Sequence, residues 1–451
     1  MMTLRDYQAE LSLATRRAFK DYRKVCMTSP TGSGKTVIAA DIFTRAHAKQ
    51  IKPVFLTDRI EIALKTKETF EEWGLTVQLV TSDTKVIYKS DCYVAMAETF
   101  YRRVVAGRFP KHVVKLLFCD ECHTSVFNKS IELFPDAYIC GLTATPISSS
   151  FNLKKIYNTI VVGKPTSHLV NNGYLCRSVD VGQQHYIDLK MERGDFSTSS
   201  QRDAFTSHKL NNKAIELWLR HAKNRSTICY NIDLDHNLEM EAAFKKIGVS
   251  TCSITGSTSE SVRLETMKDY NAGKIQVLLN VGIAIKGIDS PITSCILANF
   301  STASLSKWYQ VVGRGGRLYD GKENFITIDV GNNIPRHGSF NDDIDWEYLF
   351  NNPEQDIKNT KPKPKKLCNV CLAYIHNIHE PFCPVCDTRI NIRNLISVES
   401  QMPEEVASKS IRDMSMSELL IFQKFKGYKN GWAYFQDQMN KRNKYRQQRL
   451  F

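Results

Sequence analysis

The sequence predicts an α/β protein: two tandem parallel-sheet domains, then a small cysteine-paired module and a basic helical C-terminal tail. Three observations carry this reading. A short apolar strand, Val25-Cys26-Met27-Thr28, runs into Ser29-Pro30-Thr31-Gly32-Ser33-Gly34-Lys35-Thr36 and then into an Ala- and Ile-rich helix over 36–48. The alternation of apolar strands and helices pauses near residue 162 and restarts near residue 226. Two CxxC pairs separated by 11 residues follow a Lys- and Pro-rich stretch.

Composition sets the bounds. With 451 residues the chain has room for two or three domains, and 42% hydrophobic and 24% charged residues suit a soluble globular protein. No run of 18 apolar residues suggests a membrane span. MMTLRDYQ has no apolar signal core, and 13 cysteines, an odd number, argue for reduced thiols. The expected location is therefore a cytoplasm. A net charge of +14 points to a polyanionic partner, nucleic acid first, although solubility also explains a basic surface.

Taken in order, Leu4-Arg5-Asp6-Tyr7-Gln8 is one turn of an amphipathic helix. Ahead of a phosphate-binding loop, the Gln8 amide is placed to donate to and accept from an adenine edge; a surface glutamine is the plain alternative. In the loop, Gly32 and Gly34 let the backbone wrap phosphate oxygens, and the N–H groups of the loop and helix start face the anion. Lys35 brings charge to the β/γ-phosphates, and the Thr36 hydroxyl suits Mg²⁺. Ser29 stands where the usual pattern has its first glycine.

Pro53 to Arg59 predicts a strand ending in polar residues, with a helix over 61–73. Cys92 to Thr99 repeats the arrangement, with Arg102 and Arg103 behind it. Such strand ends are where α/β folds place ligands. Val113 to Cys119 is an apolar strand that delivers Asp120-Glu121-Cys122-His123. Asp120 is suited to hold Mg²⁺, and Glu121 to orient and deprotonate an attacking water. Cys119 to His123 also matches CxxCH, the haem-attachment pattern. That use is rejected, because Cys119 should point into the sheet and the acidic pair has a better role. Ala137 to Cys140 leads to Gly141-Leu142-Thr143-Ala144-Thr145-Pro146, whose hydroxyls can relay hydrogen bonds to a neighbouring domain.

Residues 162–175 predict a crossover linker. Strands over 226–231, 250–254 and 275–281 and a helix over 235–247 then form a second parallel sheet without its own phosphate loop. Tyr309 to Arg317 predicts a short helix with Arg314 and Arg317 on one face, able to clamp a γ-phosphate and stabilise charge in phosphoryl transfer. Asp342 to Glu347 reads as an acidic, solvated segment, and 351–366 as a linker.

Cys368, Cys371, Cys383 and Cys386 match a closed tetrahedral Zn²⁺ site, and so small a module would draw its folding energy from the metal. From residue 415 the tail is helical. Between 421 and 451 eight basic residues face Asp437 alone, a net of +7, interleaved with aromatics. That pattern suits phosphate contact and base stacking, or a hairpin that packs its rings on the rest of the protein.

LRDYQ, SPTGSGKT, FLTDR, AMAETF, DECH, LTATP, ICYN, ITGST, LLNVGIAIKGIDSP and QVVGRGGR occur in the order found in superfamily 2 helicases and translocases. From about residue 4 to 338 the chain resembles that family, whose motor is two RecA-like domains. The whole architecture resembles RadD-type repair helicases and some phage branch-migration helicases. The resemblance implies ATP binding by Arg5, Gln8, residues 29–36, Gly287, Asp289, Arg314 and Arg317. It implies Mg²⁺ at Thr36 and Asp120, and catalysis by Lys35, Asp120, Glu121 and the arginine fingers Arg314 and Arg317. His123, Thr143, Thr145 and Gln310 would couple hydrolysis to domain closure. Arg59, Thr99, Asn231 and Thr255 would lie along a nucleic-acid backbone. DECH, with Cys122 at the free position, is a DExH variant. The domains expected are 1–163 and 164–340 for the motor, 341–366 for the linker, 367–392 for a zinc ribbon and 393–451 for the tail. The expected activity is ATP-driven movement on DNA, branched or duplex by analogy, by a chain that works plausibly as a monomer. RNA as the track, or a zinc-ribbon binding protein with a vestigial ATPase, are the alternatives.

Overall fold

The computed structural model describes residues 3–148, 150–182, 189–281, 290–353, 365–376, 380–390, 409–426, 428 and 431–447. The first domain runs α1 (Asp6–Ala18), β1 (Lys24–Thr28), α2 (Lys35–His47), β2 (Val54–Thr57), α3 (Ile60–Glu72), β3 (Val77–Val80), β4 (Cys92–Met96), α4 (Ala97–Val105), β5 (Leu116–Asp120), α5 (Asn128–Glu132), β6 (Tyr138–Thr143) and β7 (Thr159–Val162). Its seven strands are all parallel, in the order β3-β4-β2-β5-β6-β1-β7. Helices cover both faces, so the strands are near-continuous apolar runs. Phe43, Phe55, Phe70 and Phe118 pack on one face, and Leu56, Tyr93, Phe100 and Ile139 on the other. Because β5, β6 and β1 are neighbours in register, Asp120, Thr143 and Thr28 end at the same edge of the sheet.

Two boundaries differ from expectation. Lys111–Val113 form a 3-10 turn after Pro110, so β5 begins only at Leu116. Strand β4 ends at Met96, which places Thr99 in the first turn of α4.

The second domain runs α6 (Thr166–Asn171), β8 (Arg177–Gly182), β9 (Met191–Glu192), β10 (Asp195–Phe196), α7 (Thr198–Ser207), α8 (Leu210–His221), β11 (Thr227–Asn231), α9 (Leu234–Lys246), β12 (Thr251–Ile254), α10 (Glu260–Asn271), β13 (Val277–Val281), β14 (Cys295–Asn299), α11 (Leu305–Val312), β15 (Asn324–Asp329), α12 (Asn333–His337) and α13 (Trp346–Asn351). Six strands are parallel, in the order β12-β13-β11-β14-β15-β8, and β9 and β10 form a separate small hairpin.

Of the segments read as linkers, 162–175 is built structure, while residues 354–364 of the second lie outside the described residues. Val162 still belongs to β7, and α6 follows, with Leu169 and Leu175 buried in a cluster shared with Tyr7 of the first domain. The acidic segment at 342–347 is not a solvated strip. Ile344 and Trp346 pack on the second domain, while Phe350 is buried in the core of the first. Asp343 binds the first crossing, accepting from the Ser167 N–H at 2.9 Å and its hydroxyl at 2.6 Å. The apolar residues interleaved with the aspartates explain the difference, since they bury while the carboxylates bind backbone.

After residue 364, β16 (Lys366–Leu367) and β17 (Tyr374–Ile375) pair antiparallel. Ala373 bridges Val181 of β8, and the Gly182 N–H donates to the Leu372 carbonyl at 3.0 Å. Ala373, Ile375, Cys371 and Cys383 sit in one core with Val181, Trp218 and Ile328. The small ribbon thus shares the core of the second domain.

In the tail, the helices Met416–Lys426 and Trp432–Gln447 form a hairpin around Met414, Leu419 and Ala433. Phe422, Tyr428 and Trp432 stack on one another, so these rings pack within the hairpin, while Tyr434 and Phe435 are exposed. The eight basic side chains between 421 and 451 are outside the described ones. Among the described residues no helix is long and apolar enough to cross a membrane.

Candidate functional site

The phosphate-binding loop is shaped by two left-handed glycines, Gly32 (φ 85°) and Gly34 (φ 84°), a conformation other residues adopt with strain. A Cβ on Gly34 would also overlap the Gln8 amide. Helix α1 braces the loop: Tyr7 Oη and Gln8 Nε2 donate to the Ser33 carbonyl at 2.8 and 3.0 Å, and Gln8 Oε1 accepts the Arg5 N–H at 3.0 Å. Gln8 is buried, and both ends of its amide are engaged within the chain. Lys35 Nζ donates to the carbonyls of Ser29 (3.1 Å) and Pro30 (3.4 Å). Burial lowers its pKa, against the pull of Glu121 and Asp120. The Ser29 side chain, at the unusual position, faces the first crossing: a Cβ on Gly163 would lie 3.2 Å from its Oγ. The missing Cβ at Gly163 thus leaves room for a serine.

Asp120 and Glu121 end β5 above this loop. Asp120 is raised in pKa by burial and by the adjacent Glu121. Glu121 is lowered: burial opposes ionisation, but the hydrogen bond and charge of His123, then Lys35, outweigh it. Burial and mutual repulsion thus set the two carboxyls apart: Glu121 favours the ionised form, while Asp120 is pushed up to about 7. Glu121 also adopts a left-handed backbone (φ 51°), a strained conformation of the kind that clusters at functional sites.

A hydrogen-bonded line leaves this pair for the second domain. His123 Nδ1 lies 3.0 Å from Thr143 Oγ1 and 3.3 Å from Glu121 Oε2. His123 Nε2 lies 2.9 Å from Gln310 Nε2. An amide nitrogen only donates, so Nε2 accepts and a neutral His123 carries its proton on Nδ1. Thr143 Oγ1 accepts the Thr145 N–H at 3.0 Å, and Gln310 Nε2 also reaches Ser306 Oγ (3.1 Å) and Thr145 Oγ1 (3.4 Å). Thr145 and Ser306 hydroxyls are 2.7 Å apart. Ser306 had not been singled out in the sequence; its signal is its place four residues before Gln310, one turn away on the same face of α11. Asp195 fixes the start of that helix, accepting from the Ala303 N–H (2.7 Å), the Thr302 hydroxyl (2.9 Å) and Lys307 (3.2 Å).

Arg314 and Arg317 do not share a helix face. Helix α11 ends at Val312, and the arginines sit in the turns beyond it. Glycines explain the packing beyond it. A Cβ on Gly315 would overlap the Phe325 ring, one on Gly316 the Phe340 ring, and one on Gly313 would come within 2.7 Å of Thr31 Cβ in the loop. Arg317 nonetheless reaches the site: its Cγ stands 3.4 Å from where a Cβ of Gly32 would be, and burial pushes its pKa down to about 10. A cavity of about 590 Å³ between the domains is lined by Lys35, Thr36, Asp120, Glu121, His123, Gln310, Arg314 and Arg317. Gly287 and Asp289 lie outside the described residues.

The residues expected along a nucleic-acid backbone do not share one setting. Arg59 lines the interdomain cavity. Asn231 is buried (1% exposed), with its amide on Asn237 (2.8 Å) and its oxygen facing Asn299 (3.3 Å), so the strand end is sealed rather than offered to a phosphate. Thr99 is half-buried, and the Thr255 hydroxyl lies 3.0 Å from that of Ser257.

The cysteines fit a metal. All four sulfurs lie within 4.8 Å of one another. The two CxxC turns are alike: Leu372 (φ 62°) and Asp387 (φ 55°) follow the second cysteine of each, and each donates its N–H at 2.9 Å to the carbonyl of the first. Paired knuckles converging four thiolates are the donor set of a structural zinc site, so Cys368, Cys371, Cys383 and Cys386 would hold Zn²⁺.

A nucleotide-sized cleft between two RecA-like domains, with a phosphate loop on one side and arginines on the other, defines a helicase-type motor. Comparison with known proteins agrees. The family model described as type III restriction enzyme, res subunit, matches residues 1–148. The helicase conserved C-terminal domain matches residues 209–319. The "Putative ATP-dependent helicase IRC3" of Saccharomyces cerevisiae is 26% identical over 356 residues, which is 72% of this chain but only 51% of that protein. A "51.5 kDa protein" of Lactococcus phage isolate 7-9 is 25% identical over 368 residues, 76% of each chain. A solved fragment described as a "putative HsdR subunit of a type I restriction enzyme" from Vibrio vulnificus shares the fold, with a TM-score of 0.60 at 18% identity, over 76% of this chain and 68% of that one. By these matches the chain is similar to the superfamily 2 helicases of the DExH type.

Proposed function

We propose that this chain hydrolyses ATP to drive movement on DNA, and that branched or forked DNA is the form it remodels. The observation that carries the ATPase reading is the line from the acidic pair through His123 to Gln310 and Ser306, which joins the hydrolytic edge of one domain to the other. The DNA reading draws on the match of residues 1–148 to the restriction-enzyme family model.

The loop N–H groups and Lys35 bind the phosphates, for which Lys35 must leave the Ser29 and Pro30 carbonyls. Mg²⁺, held through Thr36 and Asp120, would neutralise charge on the β- and γ-phosphates. Glu121, the ionised member of the pair, takes the proton of the attacking water. Arg314 and Arg317 stabilise charge on the transferred phosphoryl group. When the γ-phosphate leaves, the arginines lose their anion, and the His123–Gln310 contact is left to hold the domains together.

Glu121→Gln is expected to retain ATP binding and to lower turnover about 10³-fold; wild-type turnover would remove Glu121 from its role. The track is tested by ATPase assays with single-stranded DNA, duplex DNA, a four-way junction and structured RNA. Strongest stimulation by the junction or duplex supports the proposal. Stimulation by RNA alone makes the chain an RNA helicase, and no hydrolysis with any of them leaves a nucleic-acid-binding protein.

A further inference from the structure

The adenine end of the cleft holds a residue outside the family motifs. Tyr174 lies just past α6, on the crossing between the domains, and lines the same cavity as Lys35 and Thr36. Gly173 (φ 68°) ends the helix, and the N–H groups of Tyr174 and Leu175 both donate to the Leu169 carbonyl, at 2.8 and 3.1 Å. The turn is therefore rigid, with Leu169 fully buried. It presses on the nucleotide site at two points. Leu175 Cδ2 lies 3.1 Å from where a Cβ of Gly32 would be. The Tyr174 ring packs on Tyr7, with centroids 4.8 Å apart, and the Arg5 guanidinium lies over that ring at 5.3 Å. Arg5 itself is exposed and lines the cavity, whereas Gln8 is spent on the loop and on the Arg5 N–H.

We propose that Tyr174 is a positioning residue for the nucleobase: it backs the Arg5 guanidinium from behind, and the base of the nucleoside triphosphate stacks on the other face of that guanidinium. A planar cation set over a ring has a second face turned away from it, and a purine stacks on such a face without any polar partner. Because Tyr174 stands on the crossing and Arg5 at the start of the first domain, the platform is complete only when the crossing is docked on α1. Base recognition is in this way tied to the arrangement of the two domains. This inference rests on the ATPase reading above.

The test compares wild type with Tyr174→Ala, Tyr174→Leu and Tyr174→Phe. For each, KM and kcat for ATP are measured, together with binding of ADP and of inorganic tripolyphosphate, which has no base. Leucine keeps apolar packing on Tyr7 but removes the ring face; phenylalanine keeps the face and removes the hydroxyl. The expected result is KM for ATP and Kd for ADP raised about tenfold in the Ala and Leu variants. Their kcat stays within about twofold of wild type, tripolyphosphate binding is unchanged, and the Phe variant behaves as wild type. A Leu variant with wild-type KM and ADP affinity overturns the inference while leaving the ATPase reading intact. So does a loss of tripolyphosphate affinity equal to the loss for ADP, which would mean a distorted loop rather than a lost platform. A wild-type protein that binds neither ATP nor ADP would instead overturn the ATPase reading itself.

Discussion

The two halves of the motor are the same kind of parallel sheet put to opposite uses at the same place. In the first domain the C-terminal strand ends of β1 and β5 open onto the cavity through the loop after Thr28 and through Asp120 and Glu121, and Thr143 at the end of β6 reaches it through His123. In the second, the ends of β11 and β14 are plugged. Asn231, Asn237, Asn299, His236 and Asn211 hydrogen-bond to one another, and all but Asn211 are buried. The second domain works instead from the side, through α11 and the turns after it. A parallel sheet provides a crevice at its strand ends, but side chains decide whether the crevice stays open. The stability of the two sheets should differ accordingly, since one keeps polar groups unpaired for a ligand and the other pairs them internally and adds a metal-binding edge.

The largest expected effect lies at that edge. Cys383→Ser, or removal of zinc by a chelator, should destabilise the second domain by about 3 kcal/mol or more. The ribbon supplies Ala373 and Ile375 to its core, and His221 Nε2 binds the Cys371 carbonyl at 2.8 Å. Hydrogen exchange checks this: β8 and α8 should lose protection while α2 and β1 keep theirs. Equal loss in both domains, or none in β8, would break the contrast drawn above.

Next comes the relay. Ser306→Ala and Gln310→Ala should each leave ATP affinity nearly unchanged and lower nucleic-acid-stimulated turnover, about tenfold for Gln310 and about threefold for Ser306. Gln310 reaches both His123 and Thr145 across the domains, whereas Ser306 reaches Thr145 alone. The plug offers a complementary test. Asn299→Ala leaves Asn231 and Asn211 short of a partner and should cost about 1–3 kcal/mol by urea unfolding, with KM for ATP unaltered. A raised KM would mean that the plugged end communicates with the cleft.

How much of this was legible in the sequence depends on the type of signal. The phosphate loop, the acidic pair and the paired cysteines are contiguous patterns whose chemistry follows from spacing, and the structure gathers the first two around one cavity. What spacing could not convey was packing between distant segments. Asn231 reads as a polar strand end, and only the register of β11 with β14 shows that Asn299 stands beside it. The acidic run at 342–347 looks solvated because charge dominates the local composition; Trp346 and Phe350 bury against different domains, which no local window reveals. The arginines were expected on one helical face because three residues make nearly one turn. Helix α11 instead ends at Val312, and the glycines at 313, 315 and 316 admit Thr31, Phe325 and Phe340 where side chains would stand.

The smallest expected effect is a dependence on pH confined to the second domain. His236 is fully buried in the plug, where burial, and secondarily the charge of Arg202, pull its pKa down to about 4 against the opposing pull of Glu239 and Asp233. Its Nε2 sits 2.6 Å from Asn211 Oδ1, and its Nδ1 accepts the Ile232 N–H at 3.2 Å, so the neutral ring with the proton on Nε2 fits the network. Unfolding restores an ordinary histidine, which titrates near 6.5. The unfolded chain therefore binds the extra proton between about pH 6.5 and 4, and stability present above that window is lost as pH falls through it. For this one group the loss between pH 7 and pH 5 is about 1–2 kcal/mol. His236→Gln has no proton to gain, so the variant should start less stable at pH 7 and show a shallower decline towards pH 5. Zinc release also weakens the domain in acid, but it acts on both proteins alike, so the difference in slope between variant and wild type reports the buried ring. Parallel slopes would mean that the plug carries no acid sensitivity, and that any acid lability of the second domain belongs to its metal edge.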